Sequence, residues 1–365
     1  MIPKLHAYFL IETLKGLLTA VLLVGLLIGV GMAFTFWQRG LERHMLELLF
    51  YSVPQILVFA LPLAFFAGIL LAIGRCASDS EISLMRACGL GLSHVYVPLG
   101  LVAATLSACS IVMWDRVVPA CEQRMAGLVR AAAFDALREF SGEDTRRLPL
   151  PDMSITLYSL KNGSRPVAIV SQGDNAGKFI SAEDSSIAID KAGLFADISL
   201  KKGYITERGK SQLRTEFAEL TFRIPGPGAR NASKYASRTQ LGFRGLAEES
   251  ARMRTDSVTA SEQERIRLER DSRRYEAQLH YEIATALSPL FLFLVAIPLA
   301  VLLSVGNRIM SVGAALLYVF VIYYPLLMTG QFAAERGSGP ALLLLQLPNI
   351  AGLLIAIPLG FITRR

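Results

Sequence analysis

Six stretches of this 365-residue chain carry no charged side chain over a length that crosses about 30 Å of hydrocarbon. They are Leu17 to Phe36, Val53 to Gly74, Val95 to Trp114, Ile283 to Gly306, Ile309 to Ala334 and Gly337 to Thr363. Hydrocarbon offers no partner for a backbone amide or carbonyl, so a run of this length in lipid must be a helix. With 53% hydrophobic and 18% charged residues, the composition agrees with a multi-pass membrane protein. The spans divide three plus three around a long polar insert. The first run is too long for a signal-peptide core and ends in FTFWQRG with no small-residue cleavage site, so it is expected to stay as an anchor.

Basic residues in the short loops set the orientation. Lys4, Lys15, Arg75, Arg86, Arg308, Arg364 and Arg365 fall on one side, against Arg39, Arg43 and Arg336 on the other. Both termini are therefore expected in the cytoplasm and the insert outside it. The net charge of +7 is spread over loops and one polar segment without a dense Arg/Lys cluster, which points to anionic headgroups and away from nucleic acid. The four cysteines, Cys76, Cys88, Cys109 and Cys121, form no CxxC, and neither a zinc site nor a disulfide framework is expected.

Within the spans, Ala60, Ala64, Gly68 and Ala72 recur every four residues, as do Gly352, Ala356 and Gly360, and Gly25 with Gly29 makes a GxxxG. Such spacing suits helices that pack against one another, although small residues are common in membrane helices in any case. Pro62, Pro98, Pro298, Pro325 and Pro358 predict kinks. The insert, residues 119–245, reads from Ile155 to Ile224 as short strands broken by turn signals such as KNGSR, DNAG, KAG and KKG, a pattern that predicts an antiparallel sandwich or jellyroll-like domain. After the linker PGPGARNAS, the segment 246–282 is dense in Glu and Arg and predicts one solvated helix running into the fourth span, with the spans of 283–365 following.

The first three spans, residues 1–118, enclose a polar interruption, RCASDSEISLMRACGLGLSH, from Arg75 to His94. Ser78 and Glu81 have capping-box spacing, and Gly89 with Gly91 supplies a stop, so a short helix is expected at about 78–90. Ile82, Met85 and Cys88 make a narrow apolar stripe on it, with Leu84 alongside, while Asp79, Glu81 and Arg86 carry charge. Such a helix either lies on lipid headgroups or docks a partner on that side of the membrane.

No catalytic or nucleotide motif is visible. GYITERGKS has the wrong spacing for a phosphate loop and sits in strand and turn pattern, His6, His44, His94 and His280 are scattered, and no HExxH occurs. Polar groups in the spans amount to little beyond Gln55, Gln331 and Asn349, which argues against an enzyme acting on lipid or cell-wall precursors. Energy, if it is spent, must enter from another chain.

The layout resembles the lipopolysaccharide-export permeases of the LptF/LptG family. The resemblance rests on DSEISLMRACGLG after the second span, LPLAFFAGILLAIGR before it, the LKKG turn with TEFAELTFRI in the insert, and LHYEIATALSPLFLFLVAIPLAV at the fourth span. ACGL and the early ETLK lean toward the F member of the pair, while Glu282 stands where the family usually has a basic residue. The resemblance implies a noncatalytic permease subunit of an ABC-type exporter in the inner membrane. It would pair with a paralogous subunit, sit on a dimer of a separate ATPase that binds the ATP, and need no cofactor of its own. It would draw lipopolysaccharide from the outer leaflet and pass it to a periplasmic bridge protein that has a single-span helix. Glu81, Ile82, Met85, Arg86 and Cys88 are then the ATPase-coupling residues, and the stripe the face placed in the ATPase groove. Arg39 and Arg43, at the outer end of the first span, are candidates for headgroup phosphates, although Arg in such places also snorkels and Glu42 and Glu47 lie near. A permease for lipoprotein release or efflux usually carries its external domain after the first span, and a scaffold or sensor with a periplasmic binding domain would need no ATPase.

Overall fold

The computed structural model describes residues 2–138, 146–149, 153–157, 167–171, 178–189, 195–207, 214–225, 237–303, 313 and 317–364. The chain divides into two compact units. One comprises 1–28, 53–120 and 237–365, and the other 29–52 and 121–236.

The first unit is helical. It holds most of α1 (Ile2–Gln38) and α2 (Met45–Ser78), all of the short α3 (Glu81–Ala87), and α4 (Ser93–Val112) with the π-helical turn Met113–Val117. The chain continues from that turn into α5 (Val118–Arg138). After the insert come α6 (Phe243–Thr259), α7 (Glu262–Leu303), a π-helical segment Tyr318–Tyr323, α8 (Tyr324–Arg336) and α9 (Ala341–Arg364). Among the described residues, five helices are long and apolar enough to cross a membrane: His6–Gln38, Glu42–Ser78, Ser93–Ala136, Glu262–Leu303 and Ala341–Thr363. The expected fifth span, Ile309 to Ala334, lies partly outside the described residues, as does the end of the fourth beyond Leu303.

Small residues set how closely these helices pack. Ala60, Ala64 and Ala72 of the α2 stripe are buried, and Gly68 meets α1 backbone to backbone. A Cβ on Gly68 would come within 2.7 Å of the Leu17 amide nitrogen, and one on Gly16 within 2.9 Å of the Gly68 carbonyl oxygen. Lipid tails are as apolar as leucine, so what holds such a bundle is close van der Waals contact. Phe65, Phe66, Ile69, Leu70 and Ile73 of α2 pack with Val95, Leu99 and Ala103 of α4 and with Leu292 to Ile297 of α7 in one core. The outward faces of α1 and α9 stay apolar and exposed, as lipid-facing surfaces do: Leu22, Leu26 and Leu27 on one, Leu354, Ile357 and Phe361 on the other.

The charged stretch after the linker forms two helices, not one. Ala260 takes an extended conformation, and α6 folds onto the first half of α7. Serines make the contact close: Ser250 and Ser272 are buried and hydrogen-bond across it, and Arg254 reaches both Ser272 and Glu276. Leu246 and Met253 point inward, a periodicity that dense Glu and Arg concealed. The Asp115 carboxylate accepts from the Phe243 amide at 2.9 Å and so caps α6, and Gly242 fits only because it has no Cβ, which would lie 2.2 Å from the Asp115 carbonyl oxygen.

In the second unit, β1 (Arg146–Pro149), β2 (Met153–Leu157), β3 (Val167–Ser171), β4 (Lys178–Ile189), β5 (Phe195–Glu207) and β6 (Arg214–Pro225) form one antiparallel sheet, each strand beside its neighbour in sequence. Two strands are longer than the turn signals implied. KKG is not a turn: Lys202 adopts φ +51 in mid-strand, and β5 keeps its register with β4 and β6 on either side of it. KFISAE and SSIAID are likewise a single strand. The turns KNGSR, DNAG and KAG, the end of GYITERGKS and the linker after Pro225 lie outside the described residues. Ala196, Ile198 and Leu200 are buried with period two, and Asp197 and Ser199 on the other face pair with Arg223 and Thr221 of β6. The helical part of this unit packs Phe36, Leu41 and Leu48 against Met125, Leu128 and Val129 of α5.

The Arg223 guanidinium, bidentate on Asp197, holds that carboxyl below its ordinary value. A depressed pKa stabilises above the unfolded value and ceases to do so as pH falls through the folded one. Asp197→Asn is therefore expected to lower slightly the melting temperature of the full chain in detergent at neutral pH, with the difference from the parent vanishing in acid below the depressed pKa; a difference that persists in acid contradicts the pairing.

Candidate functional site

The polar interruption after the second span is shorter than the sequence suggested. α2 runs unbroken to Ser78, whose hydroxyl turns back to donate to the Arg75 carbonyl at 2.9 Å, so the capping box with Glu81 does not form. Instead Ser80, at φ +62, opens α3 without a side-chain cap. The far end is as expected: Gly89 lies at φ +77, its amide donates to the Arg86 carbonyl and the Leu90 amide to that of Met85, a Schellman stop. The helix is thus seven residues, Glu81–Ala87.

Two residues of the stripe, Ile82 and Met85, turn inward, while the third, Cys88, stays exposed. Ile82 and Met85 are 3% and 7% exposed and belong to the chain's own core, so they do not present a docking surface. Ser83, Leu84, Arg86, Ala87 and Cys88 face outward, Leu84 at 65%, with Glu81 half-buried. An apolar stripe reports that something covers it, and here the cover is the chain's own core.

Each end of α3 is tied to a different helix. The Tyr8 hydroxyl of α1 donates to the Glu81 carboxylate at 3.0 and 3.1 Å and accepts from Arg75 at 3.2 Å. Arg75 also pairs with Glu12 at 2.7 Å, and Lys15 lies 3.6 Å from the other Glu12 oxygen. His6 of α1 and His94 at the start of α4 approach to 3.4 Å beside this network. At the other end Arg86 donates to the carbonyl of Thr363, where the last turn of α9 leaves carbonyl groups without helical partners. Pairs of this kind, exposed or partly so, contribute about 1 kcal/mol each, so what they chiefly fix is position. Sequence reading missed Tyr8, Glu12 and Thr363. Tyr8, Glu12 and Lys15 follow helical spacing at the head of an otherwise apolar run, and that was the available signal.

Beside α3 an open groove of about 960 Å³ runs between Gly89–Ser93, Tyr96, Leu294 of α7 and the Leu353, Ile357 and Phe361 face of α9, with Arg86 at its rim. Arg39 and Arg43 lie in the other unit, both exposed, flanking the turn that ends α1: Gly40 at φ +75, with the Leu41 amide donating to the Phe36 carbonyl. Glu47 there pairs with His44 at 3.7 Å.

Comparison with known proteins matches residues 7–361 to the family described as "Lipopolysaccharide export system permease LptF/LptG". The lipopolysaccharide export system permease protein LptF of Escherichia coli K12 is 38% identical over 72 residues, which are 19% of this chain and 19% of that protein. LptF of Escherichia coli O157:H7 and of Shigella flexneri align to the same extent. The chain thus spans about a fifth of the length of these curated relatives.

The two faces of α3 separate in a stability measurement. Met85→Ala is expected to cost about 2–3 kcal/mol, as buried methionine truncations do, while Leu84→Ala leaves unfolding unchanged. Equal effects in detergent thermal melts would contradict the placement.

Proposed function

The chain belongs to the lipopolysaccharide export system permease LptF/LptG family, and on that footing we propose that it is the noncatalytic membrane subunit of an ATP-driven exporter that draws lipopolysaccharide from the outer leaflet of the inner membrane. The observation that carries this reading is a match running through both helical halves and the sheet between them, residues 7–361. Six spans, both termini in the cytoplasm and a jellyroll-like periplasmic domain complete the proposed layout; the five membrane-capable helices and the antiparallel insert support it.

The partners follow from chemistry the chain does not carry. ATP is bound by a separate dimeric ATPase, a paralogous subunit completes the membrane part, and a bridge protein with a single-span helix receives the lipid. α3 is the docking element, with Glu81, Leu84, Arg86 and Cys88 on its accessible side and Ile82 and Met85 anchoring it to the bundle. A carboxylate at the head of a short, firmly seated helix suits a basic residue of the ATPase. Arg39 and Arg43, exposed at the end of α1, suit the phosphates of an anionic lipid head.

Purification from native membranes tests the reading: an ATPase, a paralogous permease and bound lipopolysaccharide are expected to accompany the chain. Glu81→Lys, which places like charge against the proposed basic partner, is expected to uncouple ATP hydrolysis from lipid release while the protein stays in the membrane. Unchanged transport by that variant, or purification without any ATPase as a scaffold or sensor would show, contradicts the assignment.

A further inference from the structure

We propose that Tyr8 is a positioning residue that joins the docking helix to the first span, so that a displacement of α3 by the ATPase is delivered to α1. This rests on the reading of α3 as the docking element and adds the route by which docking is felt elsewhere in the chain.

The geometry has three parts. The Tyr8 hydroxyl bridges the two oxygens of Glu81, and Arg75 donates to the same hydroxyl oxygen, which polarises the O–H toward the carboxylate. Arg75 and Glu12 tie α1 to α2, and Tyr8 reaches from α1 to α3. Eight residues further along α1, about 12 Å at helical rise, Gly16 and Gly68 bring the α1 and α2 backbones into contact with no side chain between them. Beyond that crossing one face of α1 is turned outward, with Leu18, Leu22 and Leu26 62%, 64% and 67% exposed, and a Cβ on Gly25 would still be 3.9 Å from its nearest neighbour, Ile56. A stiff helix that crosses its neighbour at a glycine contact and is grasped at one end tilts about that contact when the grasped end moves. Glu81 is where docking force enters, and its hydroxyl partner is on that helix.

Position and not bulk is what the hydroxyl supplies, so Tyr8→Phe is the test, made on the complete complex of chain, paralogue and ATPase in proteoliposomes loaded with lipopolysaccharide. The ATPase is expected to remain bound, while lipid released per ATP hydrolysed falls about fivefold, the lower end of coupling between sites. Spin labels at positions 22 and 354, in a background without native cysteines, supply a readout that mere loss of stability does not imitate. The parent is expected to show a nucleotide-dependent change in their separation, and Tyr8→Phe is expected to lose it. Should that variant assemble poorly, Tyr8→Lys, which brings a donor of similar reach, is expected to restore lipid release per ATP. Parent-like coupling and parent-like label shifts in Tyr8→Phe, or no rescue by Tyr8→Lys after poor assembly, overturn the proposal. Glu81→Lys run beside it keeps the two readings apart: if that variant uncouples and Tyr8→Phe does not, the relay falls and docking stands; if neither does, docking itself falls.

Discussion

Where a helix leaves hydrocarbon its flanking charge fixes what lies beside it, and in this chain the charge that decides the most is Arg75. α2 carries no charged side chain from Val53 to Gly74, and the guanidinium that ends this run is held by Glu12 and Tyr8 of α1. From that pairing follow the seat of α1 on α2, the orientation of Tyr8 and the hold on Glu81. A seven-residue helix has too few internal hydrogen bonds to persist alone. α3 exists because Ile82 and Met85 are drawn into the core and because its ends are tied to α1 and α9.

Glycine is used as a spacer more than as a hinge. Gly16 with Gly68, Gly330 against the Leu344 carbonyl and Gly242 against Asp115 each let one backbone approach another at a distance no Cβ permits. In lipid, where apolar contact with a neighbouring helix gains little over contact with an acyl chain, such approaches give the bundle its specific arrangement. The same closeness makes the Gly16–Gly68 contact a natural pivot, since nothing interdigitates there to resist rotation.

Much of the architecture was legible because membrane spans are constrained in length and charge, a stronger condition than any residue preference. The membrane-capable helices, the β-rich insert and the short helix after the second span all follow from run lengths and period. What was not legible depended on which surface meets which. The Ile82 and Met85 stripe announced a covered face without saying that the chain covers it itself. KKG carried a turn composition, yet Lys202 accepts φ +51 between two paired neighbours and the strand continues. Ser78 and Glu81 had capping-box spacing, but the preceding helix extended through Ser78 and turned its hydroxyl inward. Tyr8 and Glu12 showed helical spacing in an apolar run, and their meaning appeared only when α1 was laid against α2 and α3.

On the proposed function, the outward face of α3 is the surface that meets an ATPase. A single cysteine in place of Leu84, in a background without the native four, places a thiol on that face without disturbing the core. Cross-linking in native membranes, followed by identification of what the chain is joined to, is expected to yield the ATPase subunit as the product. A thiol that reacts freely with a water-soluble reagent while no ATPase is ever captured would contradict the account.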